Sequence, residues 1–270
     1  VEVPGLGALP EGDAWLFVEV EGADPGDALA TARGVAADLG RPATLVTDPA
    51  AQRAVWDVRR AGLGALAYPP DAPPTKGGWE DAAVPVDRLA DYLGGLHELL
   101  DAHGLTAGVY GHYGDGCVHT KIGFDLASPA GRATFRAFVE EAADLTVALG
   151  GSLSGEHGDG QARGELLGRM FGDELVDAMR DFTRLWDPAG VLNPGRLVDA
   201  WPLDADLAEA DVPDRRVPPT MLAFRREGGA AAALDRCVGA GTCRRDDGTG
   251  TMCPSFRATH EEAHSTRGRA

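Results

Sequence analysis

Two glycine-flanked runs hold most of the residues in this chain that could do chemistry. One is Gly111-His112-Tyr113-Gly114-Asp115-Gly116-Cys117-Val118-His119; the other is Ser154-Gly155-Glu156-His157-Gly158-Asp159-Gly160. Glycine permits positive φ and close backbone approach, so both read as tight turns that aim polar side chains at a small target. His112 and His119 stand on either side of one turn, and a hairpin would let them converge. Glu156 would add a carboxylate oxygen. Imidazole nitrogen plus carboxylate oxygen suits a divalent ion such as zinc, manganese or ferrous iron. His157 has two readings, a further ligand or a general base. Adjacent residues in an extended turn point apart, which favours the base. A neighbouring cation would push its pKa down and keep it ready to accept a proton.

Other polar residues carry less by themselves. Arg59 and Arg60 follow Trp56 on an expected helix, where a solvated face is the ordinary role. Lys76 sits in a Pro-rich loop and reads as exposed. Asp115 and Asp159 are expected to hold turns by accepting backbone N–H groups. Cys117 reads as a small buried residue. His97, His103, His260 and His264 have no evident partners in sequence and read as surface residues.

The spacing Cys237-x5-Cys243-x9-Cys253-Pro254 is a separate signal. Iron–sulfur runs commonly read C-x2-C-x2-C-x3-C-P. Cys237 and Cys243 fit the first and third positions, Ala240 occupies the second, and Cys253-Pro254 fits the fourth after an insertion. A zinc knuckle is the competing reading, with His260 as the nearby fourth ligand.

Composition bounds the rest. The chain has 270 residues, 44% of them hydrophobic, enough for one large domain or two smaller ones with a real core. Its formal net charge of -17 argues against binding nucleic acid or an anionic membrane surface. No apolar run approaches the roughly 18 residues of a spanning helix, and no signal peptide is evident at the start. The chain opens on Val1 and closes on Ala270, and it is expected to be a fragment.

The elements that must position the two runs can be read in order. Residues 14–21 and 43–46 read as strands. Helices are expected from Asp24-Pro25 to Leu39, stopped by Gly40, and from Pro49, capped by Asp48. Residues 68–78 read as a loop. Residues 82–86 read as extended, 87–103 as an amphipathic helix, and 105–110 and 119–124 as the strands flanking the first run. Ser128-Pro129 should cap a long helix to about Leu149. One further helix is expected from about Leu166. Residues 201–229 read as a linker and 230–270 as a cysteine-bearing segment.

Residues 1 to about 200 resemble the C-terminal part of FAD-linked oxidases of the D-lactate dehydrogenase, glycolate oxidase and D-2-hydroxyglutarate dehydrogenase type. The two glycine-flanked runs and Leu192-Asn193-Pro194-Gly195-Arg196 carry the likeness. Residues 230–270, with Met252-Cys253-Pro254-Ser255 and His264-Ser265-Thr266-Arg267-Gly268-Arg269-Ala270, resemble the opening of a fused ferredoxin-like module. The resemblance implies an α+β fold: an antiparallel sheet with helices packed on one face, the ferredoxin-like cap of these oxidases. A C-terminal helical portion and a truncated iron–sulfur segment would follow.

It further implies that His112, His119 and Glu156 hold the divalent metal and that His157 is the base. Arg59 and Lys76 would bind the substrate carboxylate, and Asn193 would lie near the flavin edge. The family usually has Asn where Cys117 stands. The implied reaction oxidises a D-2-hydroxy acid to the 2-oxo acid, with hydride to FAD and electrons on to a [4Fe-4S] cluster at Cys237, Cys243 and Cys253. FAD would be bound mainly by an N-terminal domain outside this chain, so the segment alone is expected to be inactive. A homodimer is compatible with this reading, and the expected location is the cytoplasm or the inner face of the membrane. A non-redox metal hydrolase and a cap module without catalysis are the alternatives.

Overall fold

The computed structural model describes residues 6–69, 74–207, 221, 223–226, 228–236, 241–244, 253–265 and 268. The chain divides into two units, Val1–Asp214 and Arg215–Ala270.

Helix α1 (Pro25–Leu39) begins as its sequence dictates. Asp24 accepts the N–H groups of Gly26 and Asp27 at 2.8 and 3.0 Å, Pro25 occupies the first turn, and Gly40 ends the helix at φ +58. Asp48 likewise caps α2 (Pro49–Ala67) by accepting Ala51 N–H at 2.8 Å. The strands expected at 14–21 and 43–46 are not formed: among the described residues neither stretch pairs into a ladder. Alternating apolar residues mark a surface suited to a sheet, but a strand also needs an adjacent backbone edge to bond. Residues of both stretches, with α1 and α2, line a cavity of about 430 Å3. Leu16, Val18 and Leu45 are exposed along them.

The sheet lies further on. Strands β1 (Ala82–Ala83), β2 (Ala107–His112) and β3 (Cys117–Ile122) form an antiparallel sheet in the order β1-β3-β2, with helix α3 (Leu89–Ala102) between β1 and β2 in sequence. Ser128 caps α4 (Pro129–Ala148) by accepting Gly131 N–H at 3.0 Å. Phe135, Phe138, Val139, Ala142 and Ala143 recur at helical spacing on α4, and α3 answers with Tyr92, Leu96 and Leu100. These side chains close over Val118 and Ile122 to make one core, to which Trp79, Phe124 and Leu153 also belong. Trp79 Nε1–H donates to Tyr92 Oη at 2.9 Å, so the indole's polar edge is satisfied within the core.

The single helix expected from Leu166 is broken. Short helices α5 (Gly160–Gly164) and α6 (Leu167–Phe171) precede α7 (Asp173–Trp186), and Gly172 at φ +75 separates the last two. The stretch expected as linker begins folded: Leu203 is buried, and Arg136 on α4 holds Asp204 through Nε at 3.0 Å and Nη2 at 2.6 Å.

In the second unit, α8 (Ala230–Asp235) and α9 (Pro254–Thr259) are short. Cys253 precedes α9 at φ +45, and its Sγ donates to the His264 carbonyl at 3.2 Å. Cys243 lies in a short 3-10 turn, Thr242–Arg244. Cys237, the remaining expected iron–sulfur ligand, lies outside the described residues. No helix among the described residues is long and apolar enough to cross a membrane.

Candidate metal centre and substrate site

The register of the β2–β3 hairpin determines which side chains share a face. His112 lies opposite Cys117, Tyr110 opposite His119, and Gly108 opposite Lys121. Cross-strand partners point to the same side, and alternate residues along a strand do too. Val118, Thr120 and Ile122 therefore enter the core, while Cys117, His119 and Lys121 share the other face with His112 and Tyr110. The turn joining the strands closes at Gly116, φ +72, where a Cβ would stand 1.9 Å from Val84 O. Only glycine fits that close approach.

The second run is brought in by backbone pairing. Ala83 bridges Ser152, and Gly155 N–H donates to Asp81 O at 2.5 Å. Asp81, 3% exposed, then gathers the turn. Its carboxylate accepts Ser154 Oγ–H at 2.5 Å, His157 N–H at 2.8 Å and Glu156 N–H at 3.2 Å. Burial raises its pKa, but the hydrogen bonds from Ser154, His157 and Glu156 outweigh burial and hold it below the ordinary carboxylate value. Arg163, buried over the Trp79 ring, donates to Gly78 O and Leu153 O and so ties the segment before Asp81 to the segment before Glu156.

These contacts bring Glu156 to a common focus with three imidazoles. Glu156 Oε1 is 2.9 Å from His119 Nε2, 3.5 Å from His112 Nε2 and 3.7 Å from His157 Nε2. Two ligands bound at about 2.0–2.2 Å to one ion stand about 3.0–3.5 Å apart in octahedral or tetrahedral arrangement. The His119 and His112 spacings lie at the two ends of that range and suit a divalent cation, and the His157 spacing is longer. The ring orientations fit too. His119 Nδ1 lies 3.0 Å from Glu80 O, an obligate acceptor, so Nδ1 carries a proton and Nε2 faces the focus.

His157 is held in the same way, with Nδ1 2.9 Å from Glu80 Oε1. Its ring stacks on His119, centroids 5.0 Å apart at 11°. Glu156 and His157 thus do not point apart as neighbours in an extended turn would; the bend at 155–158 turns both inward. The hydrogen bond that Glu80 accepts from Nδ1–H raises the His157 pKa and outweighs partial desolvation.

Donor atoms of Asp81, His119, Glu156 and His157 all lie within 4.8 Å of one another. This group includes Asp81 and omits His112. The oxygens of Asp81 are already engaged by Ser154, Glu156 and His157. His112 reaches Glu156 and also lies 3.3 Å from Arg59 Nη2, which brings α2 to the edge of the focus.

The other expected site residues are distributed more widely. Lys76 joins the sheet through its main chain, donating to Ile122 O at 2.7 Å and accepting Ile122 N–H at 3.0 Å. Asn193 sits in a separate turn after α7 in the left-handed conformation, φ +55. Cys117 is buried as expected, with Sγ 3.7 Å from Asp81 Oδ1 and 3.9 Å from His119 Nε2; burial and then the Asp81 and Glu156 charges push its pKa up to about 12. Asp159 does not hold its turn through Oδ1, which is buried with no partner among the described residues. Glu80, Asp81 and Ser154 were not anticipated. Ser154 opens the second glycine-flanked run, where no role was expected of it; Glu80 and Asp81 carry no periodic or motif signal beyond an acidic pair after Gly77-Gly78-Trp79.

The family model for FAD linked oxidases, C-terminal domain, matches residues 2–197. The chain belongs to that family. It is 33% identical over 221 residues to the D-2-hydroxyglutarate dehydrogenase of Escherichia coli (strain K12), covering 80% of this chain and 21% of that protein. It is 36% identical over 118 residues to the D-lactate dehydrogenase of Archaeoglobus fulgidus, covering 44% of this chain and 26% of that protein. It is 29% identical over 144 residues to a glycolate oxidase subunit of Bacillus subtilis, covering 53% of this chain and 30% of that protein. The chain therefore spans under a third of the length of each. Every residue of the focus lies inside the family match, whereas Cys237, Cys243 and Cys253 lie beyond it.

Proposed function

We propose that this chain is the substrate- and metal-binding part of a flavin-dependent dehydrogenase that oxidises a D-2-hydroxy acid to the 2-oxo acid. The observation that carries the reading is the approach of His112, His119 and His157 Nε2 to Glu156 Oε1 in a chain of the FAD-linked oxidase family. His112, His119 and Glu156 would hold the divalent ion, which when bound would polarise the substrate hydroxyl as a Lewis acid. FAD, held mainly by a part of the complete enzyme that this chain does not span, would supply the hydride acceptor. Arg59 presents its guanidinium beside His112 and would bind the substrate carboxylate. Lys76 belongs to the same proposal at the Ile122 end of β3, and Asn193 would meet the flavin edge.

His157 would take the hydroxyl proton at Nε2 while the hydrogen on the same carbon leaves as hydride and the C–O bond becomes C=O. Glu80, by accepting the hydrogen bond from Nδ1–H, keeps the ring oriented for that transfer. Cys237, Cys243 and Cys253 would bind a [4Fe-4S] cluster in a ferredoxin-like segment that carries electrons onward. In the complete enzyme, His157→Ala should lose turnover about 100-fold or more; full turnover at neutral pH would remove the base assignment. Iron and acid-labile sulfide should be present in the complete protein and fall on Cys253→Ser; absence of both would remove the cluster.

A further inference from the structure

We propose that Lys121 makes this site selective for a 2-hydroxy acid bearing a second, distal carboxylate. The inference rests on the 2-hydroxy acid reading above and names which members of that class the site prefers.

Three observations place a second positive charge, besides Arg59, on the substrate face. First, Lys121 follows His119 by two residues, on the side of β3 that carries the imidazoles and away from the core occupied by Val118, Thr120 and Ile122. The step along the strand is about 7 Å. Second, its cross-strand partner is Gly108, which offers no side chain. Leu66 of α2 closes on that glycine so tightly that a Cβ there would meet Leu66 Cδ2 at 2.4 Å. Neither a carboxylate nor a hydroxyl therefore faces Lys121 across the ladder. Third, Lys121 Nζ lies beside Gly77. A Cβ at Gly77 would be 3.8 Å from Nζ and equally 3.8 Å from Glu80 Cγ, so the ammonium and the carboxylate that orients His157 flank one glycine.

Lys121 is half-buried, and among the described residues it forms no ion pair. A partly desolvated ammonium without a counter-ion is an anion site waiting for its partner. The substrate would lie along the face. Arg59 stands at the His112 end, and the Gly108–Lys121 pair is four residues away along β2, about 13 Å of strand. An acid whose 2-hydroxyl and near carboxylate occupy the Glu156 focus and Arg59 would extend its remaining carbons toward Lys121. A three-carbon acid such as D-lactate ends short of the ammonium. An acid with a second carboxylate two or three carbons further on can reach it and form a charge-assisted hydrogen bond. Gly77 places no side chain beside Nζ.

The test compares the complete flavin-containing protein with its Lys121→Met and Lys121→Arg variants, using D-2-hydroxyglutarate and D-lactate as substrates. Wild type should favour D-2-hydroxyglutarate. Lys121→Met should lower the ratio of kcat/KM for D-2-hydroxyglutarate over D-lactate by about 10- to 100-fold, mainly through KM, and Lys121→Arg should restore most of it. Calorimetry provides a readout apart from turnover: 2-oxoglutarate should bind the Met variant about tenfold or more weakly relative to pyruvate. An unchanged ratio, or an equal loss for both substrates, overturns the assignment of Lys121 while leaving the dehydrogenase reading in place. If the wild-type complete protein oxidises neither acid, the 2-hydroxy acid reading itself fails and this inference falls with it.

Discussion

Asp81 and His157 stand 76 positions apart in sequence, yet the buried carboxylate of Asp81 accepts the main-chain N–H of His157 at 2.8 Å. The same carboxylate accepts Ser154 Oγ–H and Glu156 N–H, and Ser154 Oγ in turn accepts Gly158 N–H at 2.8 Å. One side chain thus sets the conformation of the turn that presents both Glu156 and His157. At this focus His112, Glu156 and His157 are exposed, while His119 is buried together with the Asp81 carboxylate that sets the turn.

Asp81→Asn should therefore weaken metal binding without removing a ligand. Ser154 Oγ–H, His157 N–H and Glu156 N–H all reach Oδ2, so the amide can keep these bonds only without the carboxylate's charge, and it sets an NH2 group in place of Oδ1, facing Glu156 N–H. We expect divalent-ion affinity to fall about 10- to 100-fold, the usual cost of losing an outer-shell partner. Competition with a chromophoric chelator measures it, and wild-type affinity in the variant would show that Asp81 is only a packing residue.

Glu80→Gln should separate orientation of the base from metal ligation. The amide can still accept from His157 Nδ1–H but loses the charge of the pair at 2.9 Å. Turnover of the complete enzyme should fall about tenfold in kcat with little change in KM, and metal content should stay at the wild-type level. Loss of metal in this variant would mean that Glu80 holds the ion rather than the base.

The hairpin and its histidines were legible because their signals are local. Glycines mark the turn, and the apolar alternation around it marks the strands. The caps at Asp24, Asp48 and Ser128 were legible for the same reason, since a cap bonds to residues two or three positions away. Asp81 was not legible, because its three partners lie more than seventy positions downstream. The expected strands at 14–21 and 43–46 failed for a related reason: alternation reports which side chains face a core but not whether a neighbouring backbone edge is present. The inward turn of both Glu156 and His157 depended on backbone bends at 155–158 that spacing alone does not specify.

Acid should destabilise the first unit through Arg136. Its hydrogen bonds to Asp204 and Glu165 lower the pKa of both carboxyls below their ordinary values, despite partial burial. Each depressed pKa contributes stability that is present above the unfolded-state value, near 4, and is lost as pH falls through the folded-state value. The carboxylates are about a third exposed, so solvent screening keeps the effect small. Thermal unfolding of wild type should lose Tm more steeply below about pH 4 than Arg136→Met, which starts lower at neutral pH. Parallel profiles would show that this network does not set the acid limit.

The most direct test is the metal content of the complete protein after purification and dialysis against buffer containing zinc or manganese. Wild type and His157→Ala should each retain about one divalent ion at this site per chain, and His112→Ala, His119→Ala and Glu156→Ala should each lose it. Loss from His157→Ala equal to that from His119→Ala would make His157 a ligand rather than the base. A wild-type protein that holds no ion at all would contradict the shared focus on which the whole reading rests.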